Sequence, residues 1–332
     1  MSRIEVITIS RSANFISHAR APLELRLPFA AGVNPLAAEA QAASLDWALG
    51  LGLVAGDEQL RALGRQKLGW LPARAFHSAP REPLQLAADW TTLSCLLDDR
   101  VERLAASGGL IRISDELSRL LYAFAGREAD RPFERGFGDL GRRLRALAAP
   151  GQVRQFAAAL ESLFSGRLWQ AIHHARGLEP SVEAYCTMRE LTIGLSPQFL
   201  LGELCEDAPL GELARAHPAL SRLGAAASRC VGWASDLFTH EKKRERRDAH
   251  NLVLLLAGSV PLDEAVRRVV ERHDAEVRAF LDAEARLPSF GAGDPPVRRY
   301  VGMLQAWMRG HLDWARDTAR YRPTPPLADQ SE

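Results

Sequence analysis

Cysteine is scarce and unpaired in this chain. Cys95, Cys186, Cys205 and Cys230 are scattered over 332 residues with no C-x-x-C spacing. That usage excludes a disulfide-dense scaffold and reads as reduced, partly buried thiols. Charge of one sign is also lacking: 42 Lys+Arg stand against 41 Asp+Glu, a net charge of +1. No global field exists to draw nucleic acid or an anionic membrane, so any basic site must be local. Long apolar runs are missing too. The N-terminal stretch after Met1 is too short for a signal peptide, and no other run is long enough to cross a bilayer. A cytoplasmic protein without stable membrane insertion is the expectation. Internal repeats are absent, and the one biased segment is the polar, proline-containing tail at 322–332.

What remains is a chain that is 47% hydrophobic, enough for a large core. Its apolar residues recur at helical spacing with few β-branched alternations, which predicts an all-α fold. The candidate helices cover roughly 34–53, 57–69, 83–105, 114–127, 152–176, 181–206, 219–256, 261–287 and 295–321. Asn34-Pro35 and Glu179-Pro180-Ser181 read as helix starts, and 291–296 separates the last two helices. No linker divides the chain, so 1–321 reads as one domain.

Four segments carry chemistry. In the first, Leu96-Leu97-Asp98-Asp99-Arg100-Val101-Glu102, the residues Asp98 and Glu102 are i and i+4 and share a helix face. Three acids closing an apolar surface suit a hard cation such as Mg²⁺, although a solvated helix end has the same look. The second runs from Ser235 to Lys243 and stacks Ser235, Thr239 and Lys243 on one stripe, followed by a basic run through Arg247. The third places Arg189 before Gly194, a residue that can disrupt a helix and turn carbonyls toward a cavity. The fourth runs from Trp307 to Tyr321. It sets Trp307 and Trp314 seven apart on one face and ends on Arg320 and Tyr321, whose donors suit phosphate oxygens.

Taken together, in this order, these segments resemble the bacterial class I terpene synthase family from about residue 23 to 321. Asp98-Asp99-x-x-Glu102 resembles its aspartate-rich motif, and 235–243 resembles its second metal motif, Asn-Asp-x-x-Ser-x-x-x-Glu. Arg189 lies 46 positions upstream of Ser235, where the family keeps its diphosphate-sensing arginine, and Arg320-Tyr321 matches the carboxy-terminal Arg-Tyr pair. Ala88-Asp89-Trp90, Pro180-Ser181 with Tyr185, and Asp248-Ala249-His250-Asn251 are similar as well.

The resemblance implies a helical bundle around an apolar cavity, three Mg²⁺ ions and an isoprenoid diphosphate substrate, farnesyl or geranylgeranyl diphosphate. Asp98, Asp99 and Glu102 would bind two of the ions, and Ser235 and Thr239 the third. Arg189, Lys242, Arg320 and Tyr321, with Lys243, would hold the diphosphate. Trp90, Ser94, Cys95, Ile193, Gly194, Trp233, Trp307 and Trp314 would line the cavity. A homodimer is common in such proteins. Three departures stand out: small Ser94 and Cys95 imply a wider or less cation-stabilising cavity, Ser235 replaces Asn or Asp, and Lys243 replaces the last metal-binding Glu. The alternative is a prenyl-diphosphate-binding protein without cyclase activity. For Lys243 the alternatives are a fixed charge beside the diphosphate, in place of the third ion, or a side chain swung out to solvent. A nucleic-acid role for 242–247 ranks a distant third, because the basic run has no interleaved aromatics.

Overall fold

A computed structural model describes residues 25–322, and the polar tail therefore lies almost wholly outside the described residues. The described residues form helices and contain no strand: α1 (Ala37–Gly50), α2 (Gly56–Arg65), α3 (Trp70–Ala75), α4 (Arg81–Ala106), α5 (Leu110–Phe124), α6 (Pro132–Leu147), α7 (Pro150–Ala175), α8 (Val182–Thr192), α9 (Leu195–Cys205), α10 (Glu212–Arg215), α11 (Pro218–Glu245), α12 (Leu252–Ala257), α13 (Leu262–Ala285) and α14 (Asp294–Asp317). None of them is long and apolar enough to cross a membrane.

Local chemistry sets the ends. Ser181 caps α8 by accepting the Ala184 amide hydrogen at 3.1 Å. Asn34 ties the approach to α1 onto the next layer, its side-chain amide donating to the carbonyls of Phe76 and Ala79, both at 2.9 Å. The expected helix over 181–206 is broken where Gly194 takes φ +74°, a left-handed conformation that costs glycine little.

Other boundaries differ from the sequence expectation. The helix expected over 219–256 stops at Glu245. Arg247 then turns to φ 54° and Asn251 caps α12, accepting from the amides of Val253 and Leu254. Helix α6, for which the apolar spacing gave no expectation, starts on Pro132 at a first-turn position, with Glu134 accepting from the Arg131 amide. Short α3 also escaped the periodicity. Its Leu71, Ala73 and Ala75 are buried, too few to set a period.

The main core lies where α4 meets α6 and α7. On α4 the stripe Leu86, Trp90, Leu93, Leu97 and Val101 is buried throughout. The Trp90 ring meets Phe137 and Phe156 edge-on at 6.0 and 5.5 Å. A second core gathers Trp233 of α11 with Leu252, Val269 and Leu312. Between these two bodies of apolar packing runs a cavity.

Candidate active site

Helices α4, α7, α8, α9, α11 and α14 wall this cavity, with the segment 320–321 laid across it. The break at Gly194 opens the wall, bringing Arg189, Thr192, Ile193, Gly194 and Leu195 all onto the lining. From α4 come Ser94, Cys95, Asp98, Asp99 and Glu102, and from α11 Ser235, Thr239, Lys242 and Lys243. Trp307, Trp314, Arg320 and Tyr321 complete it.

At the mouth, acids and cations interlock. Arg320 grips Asp99 in a fork, Nη1 to Oδ2 at 3.0 Å and Nη2 to Oδ1 at 3.1 Å, and reaches Asp98 Oδ2 at 3.4 Å. Burial opposes ionisation of Asp99, but Arg320 outweighs it and holds the carboxyl below its ordinary value. Asp98 behaves oppositely. Its side chain is 40% exposed onto the cavity, with Arg167 Nε 3.9 Å away. Burial away from bulk water raises its pKa against the pull of Arg167, and the Glu102 charge raises it further. Lys242 donates to the Arg320 carbonyl at 2.7 Å. Burial and then the neighbouring Arg320 and Arg246 lower its pKa to about 8.

The opposite wall is built around Asp236. It receives Arg189 Nη2 at 3.0 Å, the Tyr185 hydroxyl at 2.8 Å and the Leu252 amide at 3.0 Å. This buried carboxylate aims the arginine. Burial weighs against the guanidinium's charge, yet Asp236 raises its pKa. Ser235 accepts from the Tyr321 hydroxyl at 3.2 Å, and Thr239 donates to the Ser235 carbonyl at 2.7 Å. Lys243 neither swings to solvent nor stands free. Its ammonium donates to Glu102 Oε1 at 2.7 Å and to Asp248 Oδ2 at 2.5 Å, with only 18% of the side chain exposed. Against the cost of burial, these two carboxylates raise its pKa.

Two expected cavity residues lie elsewhere. Trp90 belongs to the α4 stripe that faces α6 and α7, about 100° round the helix from the Thr91 row that faces the cavity. Trp233 precedes Ser235 by two residues, about 200° away, and so points into the second core. Ser94 does not widen the cavity, because Arg167 fills the space, its Nη2 donating to Ser94 O and Oγ at 2.8 Å each.

Sequence reading also passed over several residues. Arg167, Trp169 and Gln170 line the cavity from α7, Arg246 from within the basic run and His250 from just after it. Arg167 sits inside an otherwise ordinary helix, so no local signal marks it. Asp236 and Asp248 stood inside quoted motifs, where an acid flanked by Tyr185, Arg189 and Lys243 partners could have been weighed.

The donor sets differ in their fit to Mg²⁺. Asp98 and Glu102 from one face of α4, with Asp99 beside them, offer carboxylate oxygens toward one cavity, the chemistry a hard cation takes. They are held by Arg320 and Lys243 as they stand, and among the described residues no His, Cys, Asp and Glu group is gathered as a metal cage. On α11 the fit fails at the last position: Ser235 and Thr239 offer only hydroxyls already hydrogen-bonded to neighbours, and the Lys243 ammonium has no lone pair to give.

The chain is similar to known proteins. A family model described as terpene synthase family 2, C-terminal metal binding, matches residues 89–279. A (+)-T-muurolol synthase of Roseiflexus castenholzii, described as cyclising (2E,6E)-farnesyl diphosphate, is 32% identical over 304 residues, covering 90% of this chain and 93% of its own. A germacrene A synthase of Nostoc punctiforme is 25% identical over 90% of this chain and 94% of its own. The crystal structure of linalool/nerolidol synthase from Streptomyces clavuligerus superposes with a TM-score of 0.79 at 27% identity, covering 88% of this chain and 100% of that one.

Proposed function

The chain belongs to the bacterial class I terpene synthase family, and from that premise we propose that it ionises farnesyl diphosphate with Mg²⁺ and cyclises the resulting cation. The observation that carries the reading is the mouth of the cavity. Carboxylates of α4 and the cations Arg189, Lys242 and Arg320 converge there above an inner wall bearing Trp307 and Trp314.

Arg320 and Arg189 offer planar forks to the diphosphate, and Lys242 and the Tyr321 hydroxyl add donors beside them. Each is held by a protein partner, so the donors are positioned before substrate arrives and stabilise the negative charge that grows on the leaving group. Asp98, with Asp99 and Glu102, would hold Mg²⁺, which when bound supplies Lewis-acid polarisation of the diphosphate oxygens. The indole faces of Trp169, Trp307 and Trp314 attract the carbocation and keep bulk water from it. The reading of the chain as a non-cyclising binder rests on Lys243 and Ser235 in the second metal motif, and the named synthases above lend it no support.

Incubation with C10, C15 and C20 prenyl diphosphates and Mg²⁺, followed by analysis of the volatile products, tests the reading. Cyclic C15 products with release of diphosphate are expected. Intact substrate in every incubation refutes it.

A further inference from the structure

Among the polar atoms that line the cavity and have no hydrogen-bond partner among the described residues are Gln198 Oε1, Trp307 Nε1 and His311 Nδ1. Their residues are only 5%, 1% and 3% exposed. A buried polar group left unpaired costs about 1–3 kcal/mol, and folded proteins satisfy such groups with protein or ordered water. A prenyl chain carries no hydrogen-bonding group beyond its diphosphate and cannot serve them.

Their orientation is determined by neighbours. Thr91 Oγ1 spends its hydrogen on the Ala87 carbonyl at 2.8 Å, so toward Gln198 it can only accept. The Gln198 nitrogen is therefore the atom 2.8 Å from Thr91, and the carbonyl oxygen is the free end. Helices α9 and α14 run antiparallel: Asp207 O accepts from Arg299, and a Cβ on Gly202 would lie 2.9 Å from Met303 Sδ. One further turn along each helix, about 3.6 residues, sets Gln198 beside Trp307. His311 follows Trp307 by another turn on the same face.

Resting on the synthase reading above, we propose that Gln198 and Trp307 hold a reactive water in the cavity and that the enzyme releases a terpene alcohol. The indole N–H donates to this water, which gives one of its own hydrogens to Gln198 Oε1 and keeps a lone pair toward the hydrocarbon. That lone pair forms the C–O bond to the cationic carbon. The oxonium then loses a proton to His311 Nδ1, its O–H bond pair returning to oxygen, and the neutral alcohol remains.

The imidazole can take the form this requires. The 2.9 Å contact between His311 Nε2 and Tyr321 Oη admits this tautomer: with the Tyr321 hydrogen turned to Ser235, Nε2–H donates to the phenol oxygen and Nδ1 keeps its lone pair. Burial, helped by Arg189, pushes the His311 pKa down to about 3, which keeps the ring neutral yet leaves it far more basic than an alcohol oxonium.

The test is turnover of farnesyl diphosphate with Mg²⁺ in ¹⁸O-labelled water by the wild type and by Gln198→Leu and Trp307→Phe. Labelled alcohol should dominate the wild-type products, and each variant should lower the ratio of alcohol to hydrocarbon by about tenfold. Diphosphate release with hydrocarbon products only, or an unchanged ratio in both variants, overturns the water site while leaving the synthase reading intact. Should no prenyl diphosphate be turned over, the synthase reading fails separately. A crystal structure of the protein alone then decides the water site. An ordered water within hydrogen-bond reach of Gln198 Oε1 and Trp307 Nε1 upholds it, and a dry wall overturns it.

Discussion

Replacing Lys243 with Glu removes the ammonium shared by Glu102 and Asp248 and sets a third carboxylate against them. Removing one partner from a buried ion pair costs about 3–5 kcal/mol, and the low end applies because Glu102 is 28% exposed. At about 2.1 cal/mol/K of unfolding entropy per residue, each kcal/mol lowers the melting temperature of a chain this size by about 1.4 °C, so metal-free Lys243→Glu should melt roughly 4 °C below the wild type. The carboxylates left behind offer the oxygen ligands that the wild-type α11 face lacks. A cation bound at a hundred times its Kd returns about 2.7 kcal/mol. Scanning calorimetry with and without Mg²⁺ plus inorganic diphosphate should therefore show a larger Mg²⁺-dependent rise in the variant than in the wild type. Equal metal-free melting temperatures would refute the argument, since Lys243 would then not be what holds these carboxylates together.

Asp98→Ala should abolish turnover while circular dichroism stays helical, and retained turnover would remove Asp98 from the mechanism. Arg189→Ala should weaken binding of inorganic diphosphate at least about tenfold, because each charge-assisted contact is worth roughly 1.5–3 kcal/mol; titration calorimetry with Mg²⁺ reads this. Trp90→Ala should cost about 3–5 kcal/mol in chemical denaturation, as expected for a core tryptophan. For pH, Asp248 resists ionisation through burial, but Lys243 and His250 prevail and hold its pKa well below the ordinary 3.8. Its contribution is thus present above that value and lost as pH falls through the lowered one, so acid should destabilise the wild type more steeply than Asp248→Asn.

The fold was legible where apolar spacing is long and regular, as in α4, α7 and α13, and at Gly194, whose missing side chain announces a break. It was illegible where one side chain overrides a continuing pattern: Asn251 ends the run after α11 by capping α12. Short α3 has too few turns to show a period. In the site, the acids and the Arg-Tyr pair were legible from residue type and order. Trp90 and Trp233 were misplaced because residue type says nothing of helix phase, and a shift of one or two positions turns an indole from cavity to core. Arg167 and the partners of Lys243 depend on helices brought together from distant parts of the chain, which no local pattern encodes.

The acids of α4 and the cations that neutralise them are far apart in the chain: Glu102 precedes Lys243 by 141 residues, and Asp99 precedes Arg320 by 221. A ribosome adds about 5–20 residues per second, so Asp99 emerges roughly 10–45 s before its guanidinium exists. Throughout that interval Asp99 lacks the guanidinium that outweighs the cost of its burial. The mouth of the cavity therefore cannot take its final form until synthesis has passed every other residue that lines it, and Arg320 and Tyr321 are the seal set at the end.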